Sequence, residues 1–216
     1  MKGRVLKLVL LVFVLTACGT LLPSTSALEV EPTTFSPTQV SASETPAVES
    51  VLKFHPLATR TNIQQIDDIL KAISDDTPQV LINLFGYSKI PCMTVNALGG
   101  PPACRAGEPE GTIVEVLPFL DSEGSFLHKE NAESFPGLDV VGLYAIFEVS
   151  DTAYSDVNYP AGDYGIALVA RESLPGVILH VKNGKIIRID YVYNTSSLPE
   201  ILQRDASTFI LNPIAS

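Results

Sequence analysis

Apolar residues fall at helical spacing near residue 63 and change to strand-like spacing farther along the chain. Ile63, Ile66, Ile69, Leu70 and Ile73 recur every three or four positions, which is the repeat of one helix face. The pattern predicts an amphipathic helix ending near Ser74, with Asn62 as N-cap and Gln65 as its capping-box partner. Thr77-Pro78 then restarts a helix as N-cap and first turn. Val80, Leu81, Leu84 and Phe85 supply its stripe, and Gly86 is placed to end it.

After residue 111 the repeat shortens. Thr112–Phe119 is rich in β-branched residues, and Val140–Val149 and Tyr164–Arg171 are apolar at both alternating sets of positions. Strands apolar on both sides need cover on both sides, so they belong inside a sheet. Gly176–Tyr193 reads as a long hairpin around Asn183-Gly184, the pair a two-residue type I′ turn favours because both positions need positive φ. A straight ladder from that turn pairs Val181 with Ile186, His180 with Ile187, Leu179 with Arg188 and Ile178 with Ile189. One face would then carry Ile178, His180, Ile187, Ile189, Tyr191 and Tyr193. The other would carry Val177, Leu179, Val181, Ile186, Arg188 and Asp190, and a slip of one residue would exchange the two sets. Ser197-Leu198-Pro199-Glu200 is a further capping box, opening a short helix to about Arg204. Two helices, a mostly antiparallel sheet ending in a long hairpin, and a short C-terminal helix make an α+β domain.

The N-terminus carries a different signal. Lys2, Arg4 and Lys7 precede the apolar run Leu8–Leu15, the layout of a secretory signal peptide. A membrane span needs about 20 apolar residues, and Leu8–Leu22 offers fifteen positions broken by Thr16 and Thr20. Leu15-Thr16-Ala17-Cys18 resembles the lipobox of bacterial lipoproteins. That resemblance implies removal of residues 1–17, lipid on Cys18, and attachment to the outer side of the cytoplasmic membrane or in the outer membrane. The alternative is cleavage after Thr25-Ser26-Ala27, which would discard Cys18 and release the protein. Residues 18–50 are dominated by Ser, Thr, Pro, Ala and Glu without apolar periodicity, so they read as a disordered tether. Such a tether reaches ~30 Å. Residues 51–216 suffice for one domain.

Charge and cysteines narrow the setting. Losing Lys2, Arg4 and Lys7 takes the net charge from −10 to −13. Nucleic acid is therefore not an expected partner, since phosphate binding draws on Lys and Arg. Anionic headgroups would repel the chain, which leaves membrane contact to the lipid on Cys18. In an extracytoplasmic compartment Cys92 and Cys104 are expected to form a disulfide across a turn-rich loop. Their spacing is wider than that of redox pairs or zinc knuckles.

The helix-first order and the last strand, Asn183-Gly184-Lys185-Ile186-Ile187-Arg188-Ile189-Asp190-Tyr191, resemble the NTF2-like (cystatin-related) superfamily over about residues 62–193. The resemblance implies a curved sheet wrapped on a helix, with a pocket on the helix-facing side. The disulfide loop and the C-terminal helix depart from it.

Catalytic signatures are sparse. No nucleophile elbow, phosphate loop or His-Glu-x-x-His is present. His55, His128 and His180 lie apart, with no ligand-like spacing, so neither a metal nor another cofactor is expected. Ser125 near His128 reads as coincidence in a glycine-containing loop. His180 remains, a titratable group predicted among Ile178, Ile187, Ile189, Tyr191 and Tyr193, and thus a candidate pocket residue. Tyr144 and Asp139 could join it in a proton-transfer site only within the NTF2-like arrangement.

Three functions follow as expectations. The first is a module binding a small ligand or an envelope protein, or pairing with a second copy of itself through the sheet. The second is a small-cavity enzyme, isomerase- or hydrolase-like, using His180. The third is a structural envelope protein that makes contact through the disulfide loop.

Overall fold

The first helix begins one residue later than its capping box predicts. α1 is Gln64–Ser74, its N-cap is Ile63 without a side-chain cap bond, and Asn62 sits at φ 65°. The carboxylate of Asp67 takes the capping role from inside the helix. It accepts the Thr61 N–H at 2.7 Å, the Thr61 hydroxyl at 2.9 Å and the Asn62 N–H at 3.1 Å. The carboxylate thus fills the back-bonding role that the capping box assigns to Gln65, while Asn62 at positive φ lacks the extended backbone of an N-cap. α2 is Pro78–Ile82 with Thr77 as N-cap. It ends at Asn83, before Gly86, whose N–H instead donates to the Ile186 carbonyl at 2.8 Å. A Cβ on Gly86 would lie 2.9 Å from the Lys185 Cβ, so this glycine permits close chain approach rather than capping a helix.

This is a computed structural model describing residues 52–95, 97–171, 176–194 and 197–215, all within one compact unit, Val48–Ser216. The signal peptide, Cys18 and the tether lie outside the described residues. No helix among the described residues is long and apolar enough to cross a membrane.

The strands are β1 (Ser88–Pro91), β2 (Ile113–Leu120), β3 (Ser125–His128), β4 (Val140–Val149), β5 (Tyr164–Ala170), β6 (Gly176–Lys182), β7 (Lys185–Val192) and β8 (Ala206–Leu211). A 3-10 turn, Lys129–Ser134, follows β3, and α3, Ser197–Asp205, precedes β8. The fold is α+β with an open, mostly antiparallel eight-stranded sheet, ordered β1-β2-β7-β6-β5-β4-β8, with β3 paired to β2. The β2–β7 contact is parallel.

Both faces of the sheet are covered, as the doubly apolar strands require. On one face Ile166, Leu168, Val177, Leu179, Val181 and Ile189 pack with Ile66, Ile69 and Leu70 of α1. On the other, Ala145, Phe147, Ala167 and Ile178 pack with Leu198 and Leu202 of α3. Each large aliphatic side chain so buried contributes about 2 kcal/mol. A third, smaller cluster, Ile90, Cys92, Val114 and Val116, sits beside the Cys92–Cys104 disulfide, whose sulfurs are 2.00 Å apart.

Three strands were not foreseen. β1 and β3 have four residues each, too few for a readable alternation. β8 opens with Ala206-Ser207-Thr208 and takes its conformation from pairing with β4.

Candidate functional site

The hairpin turn forms as read, with Asn183 at φ 51° and Gly184 at φ 71°. The ladder beyond it does not. Val181 pairs with Ile186, but His180 then pairs with Arg188, Leu179 with Ile189, Ile178 with Asp190 and Val177 with Tyr191. Ile187 is the extra residue of a β-bulge, which shifts the rest of β7 by one position. The grouping of His180 with Ile187, Ile189, Tyr191 and Tyr193 is therefore corrected. His180 and Ile178 share their face with Arg188, Asp190 and Val192, while Ile189 and Tyr191 face α1 with Val177, Leu179 and Val181.

The shift creates a buried ionic cluster. His180 and Arg188 are both 0% exposed, and the Asp190 side chain is 13% exposed. Arg188 Nε donates to Asp190 Oδ1 at 2.7 Å and its Nη2 to Oδ2 at 2.8 Å. Nη2 also lies 2.8 Å from His180 Nε2, and Nη1 reaches the carbonyls of Tyr154 and Tyr159 at 3.0 and 2.8 Å. All five guanidinium N–H groups thus have acceptors when the imidazole is neutral. His180 Nδ1 donates to the Ala161 carbonyl at 2.6 Å. Its Nε2, 3.0 Å from Asp190 Oδ2, accepts from Arg188 when the imidazole is neutral and donates to Asp190 when it is protonated. Burial pushes the Asp190 carboxyl up, but the charges and hydrogen bonds of His180 and Arg188 outweigh it and hold Asp190 below the ordinary carboxylate value.

The carbonyls that Arg188 and His180 bind all belong to the loop between β4 and β5. Asp156 shapes that loop. Its Oδ1 accepts from the N–H groups of Asn158 and Tyr159 at 2.7 and 2.8 Å, and its Oδ2 from the Tyr154 hydroxyl at 2.6 Å. The cluster therefore fastens a loop to the sheet. It presents no free imidazole nitrogen, and His180 lines neither of two solvent-open cavities of about 280 Å³.

These two cavities lie away from the cluster. One, about 280 Å³, is lined by Phe119, Ser125, Phe126, Leu127, Ser134, Phe135, Pro136 and Tyr191. It is the open rim of the α1-side core, to which buried Phe119 and Phe135 and half-buried Leu127 and Tyr191 belong. The Phe119 and Tyr191 rings are nearly parallel, 10° apart in plane with centroids at 6.0 Å, and Phe119 and Phe135 are at 6.2 Å. Burial, with the nearby Tyr193 and Asp121 charges, pushes the Tyr191 phenol up. The other, also about 280 Å³, lies by the exposed Asp139–Arg171 ion pair and includes Asp76 and Ser74.

The predicted pocket residues thus scatter. Ile178 is in the α3-side core, His180 in the ionic cluster and Ile189 in the α1-side core. Ile187 sits on the bulge against Gly86, Tyr191 lines the aromatic groove, and Tyr193 is 56% exposed just past β7. Tyr144 is buried in the α3-side core, and Asp139 is held by Arg171, so neither meets His180. Ser125 donates to Asp121 Oδ2 at 3.2 Å rather than serving His128. Arg188 and Asp190 had a visible signal, opposite charges two positions apart in an apolar strand. Phe119 and Phe135 had none, because they meet only in the fold.

No family model matches the chain, and no curated protein or solved structure matches it either.

Proposed function

We propose that this is an extracytoplasmic, lipid-anchored binding protein whose folded domain takes a small ligand with an apolar body in the aromatic groove. The observation that carries the reading is the groove itself, about 280 Å³ with Phe119, Phe135 and Tyr191 contributing rings and Ser125 and Ser134 contributing hydroxyls. Ligand sites are mostly apolar concavities with a few polar groups, and this volume suits a ligand smaller than a drug-sized molecule. The helix-first order and the packing of α1 on the last hairpin support the NTF2-like placement of the domain. The lipobox-like Leu15-Thr16-Ala17-Cys18 supports the anchor. The hydrolase- or isomerase-like alternative draws no support from His180, whose ring is enclosed and hydrogen-bonded at both nitrogens.

The test is a two-dimensional NMR titration of the full chain with small apolar probes: toluene, indole and 3,3-dimethylbutanol. Saturable shifts centred on Phe119, Phe135 and Tyr191 are expected. Shifts confined to other regions, or none at millimolar probe, would overturn the assignment.

A further inference from the structure

The aromatic groove lies within an acidic chain and has no basic residue in its lining. The chain carries 24 Asp and Glu against 14 Lys and Arg. Nearby, the Asp121 carboxylate closes the turn between β2 and β3 by accepting from the N–H groups of Glu123 and Gly124 at 3.0 and 2.6 Å. Its charge is felt at the Tyr191 phenol. The nearest lysine in sequence, Lys129, is committed elsewhere, 2.8 Å from Glu115 and over the Tyr87 ring.

Four aromatic side chains, Phe119, Phe126, Phe135 and Tyr191, line the groove, and the Asp121 carboxylate adjoins it, 3.2 Å from the lining Ser125 hydroxyl. The ring quadrupole is negative on its face and attracts a cation within about 6 Å of the centroid. A poorly hydrated ammonium suits such a surface best, since it loses little hydration on entering and its alkyl groups fill apolar space. An inorganic cation would trade its hydration shell for no more than the few hydroxyl oxygens of the lining.

We propose that the groove is selective for an organic cation, a quaternary ammonium or alkylated amine, held against Phe119, Phe135 and Tyr191. The inference rests on the groove being the binding site, and it goes beyond that reading by naming the charge of the ligand.

The experiment compares choline with its neutral carbon isostere 3,3-dimethylbutanol, by NMR titration of the full chain at fixed ionic strength. Choline should shift the groove residues and bind about 5- to 30-fold more tightly than the isostere. Tyr191→Leu should weaken choline while leaving the isostere within about twofold, because it removes a ring face but keeps apolar area. Equal or tighter binding of the isostere overturns the cation assignment and leaves the groove as an apolar site. Failure of both probes to perturb the groove overturns the groove as well. A Tyr191→Leu variant that weakens both ligands equally also refutes the cation role, because the ring would then act only through apolar contact.

Discussion

Arg188 clasps Asp190, two residues along the same strand, through Nε and Nη2 at 2.7 and 2.8 Å, and the clasp closes beneath a loop from elsewhere in the chain. An isolated buried ion pair contributes little, because desolvation cancels most of the attraction. This one has more to do. Arg188 also carries two loop carbonyls, and His180 a third. Cluster and loop stand or fall together.

Replacing Arg188 with Met should therefore cost more than the pair's net worth. It leaves Asp190 as an uncompensated buried charge and strands the Tyr154 and Tyr159 carbonyls. Urea denaturation should show a loss of about 3–5 kcal/mol. Arg188→Lys keeps the charge but not the fork and should fall between the two. A loss under about 1 kcal/mol for Met would mean that the loop is held by other contacts.

Asp190 also gives the fold an acid limit. Its folded carboxyl lies below the ordinary value, so its contribution is fully present above the unfolded pKa of about 3.9 and disappears as pH falls through the lower folded value. Thermal melts of wild type and Asp190→Asn should differ most near neutral pH and converge in acid. Parallel melting curves down to pH ~2 would show that Asp190 is not the linked group.

Tyr159 is 1% exposed, and its hydroxyl has no hydrogen-bond partner among the described residues. Tyr159→Phe should then be neutral or stabilising by up to about 1 kcal/mol, since it removes a buried polar atom without breaking a bond. Gly124 leaves room for that hydroxyl, as a Cβ there would lie 2.4 Å from it at a φ of +72°. Gly124→Ala should lose at least about 1 kcal/mol, and Tyr159→Phe should recover the steric part but not the backbone strain. Additive effects in the double variant would refute the contact.

Lipidation at Cys18 predicts a mature N-terminus at that residue. Mass spectrometry of the membrane-extracted protein should find a diacylglyceryl-modified Cys18 peptide, and Cys18→Ser should move the protein to the soluble fraction. An unmodified chain starting at Leu28 would contradict the anchor and favour simple secretion.

Regular periodicity was readable and local competition was not. The ten-residue apolar run of β4 and the Asn183-Gly184 turn announced themselves because packing and φ leave few options there. Asn62 misled because it sits at positive φ, where an N-cap needs extended backbone, and Asp67 takes the N–H that the capping box leaves to Gln65. The hairpin faces were wrong from Ile187 onward because alternation assumes an unbroken ladder. The aromatic groove was invisible for another reason. Phe119, Phe135 and Tyr191 are far apart in sequence, and only the parallel β2–β7 contact brings two of them alongside.

The bulge makes Ile187 a surplus letter in the spelling of this hairpin. Deleting Ile187 would close an unbroken ladder in which Val181 still faces Ile186, His180 still faces Arg188 and Leu179 still faces Ile189, so the later side chains of β7 keep their sides of the sheet. The domain should therefore keep its buried ionic cluster when this letter is dropped, and lose only the local bend and twist that the bulge adds. Related chains, as they diverge, should be free to lose this position, while the alternation on either side of it stays in step.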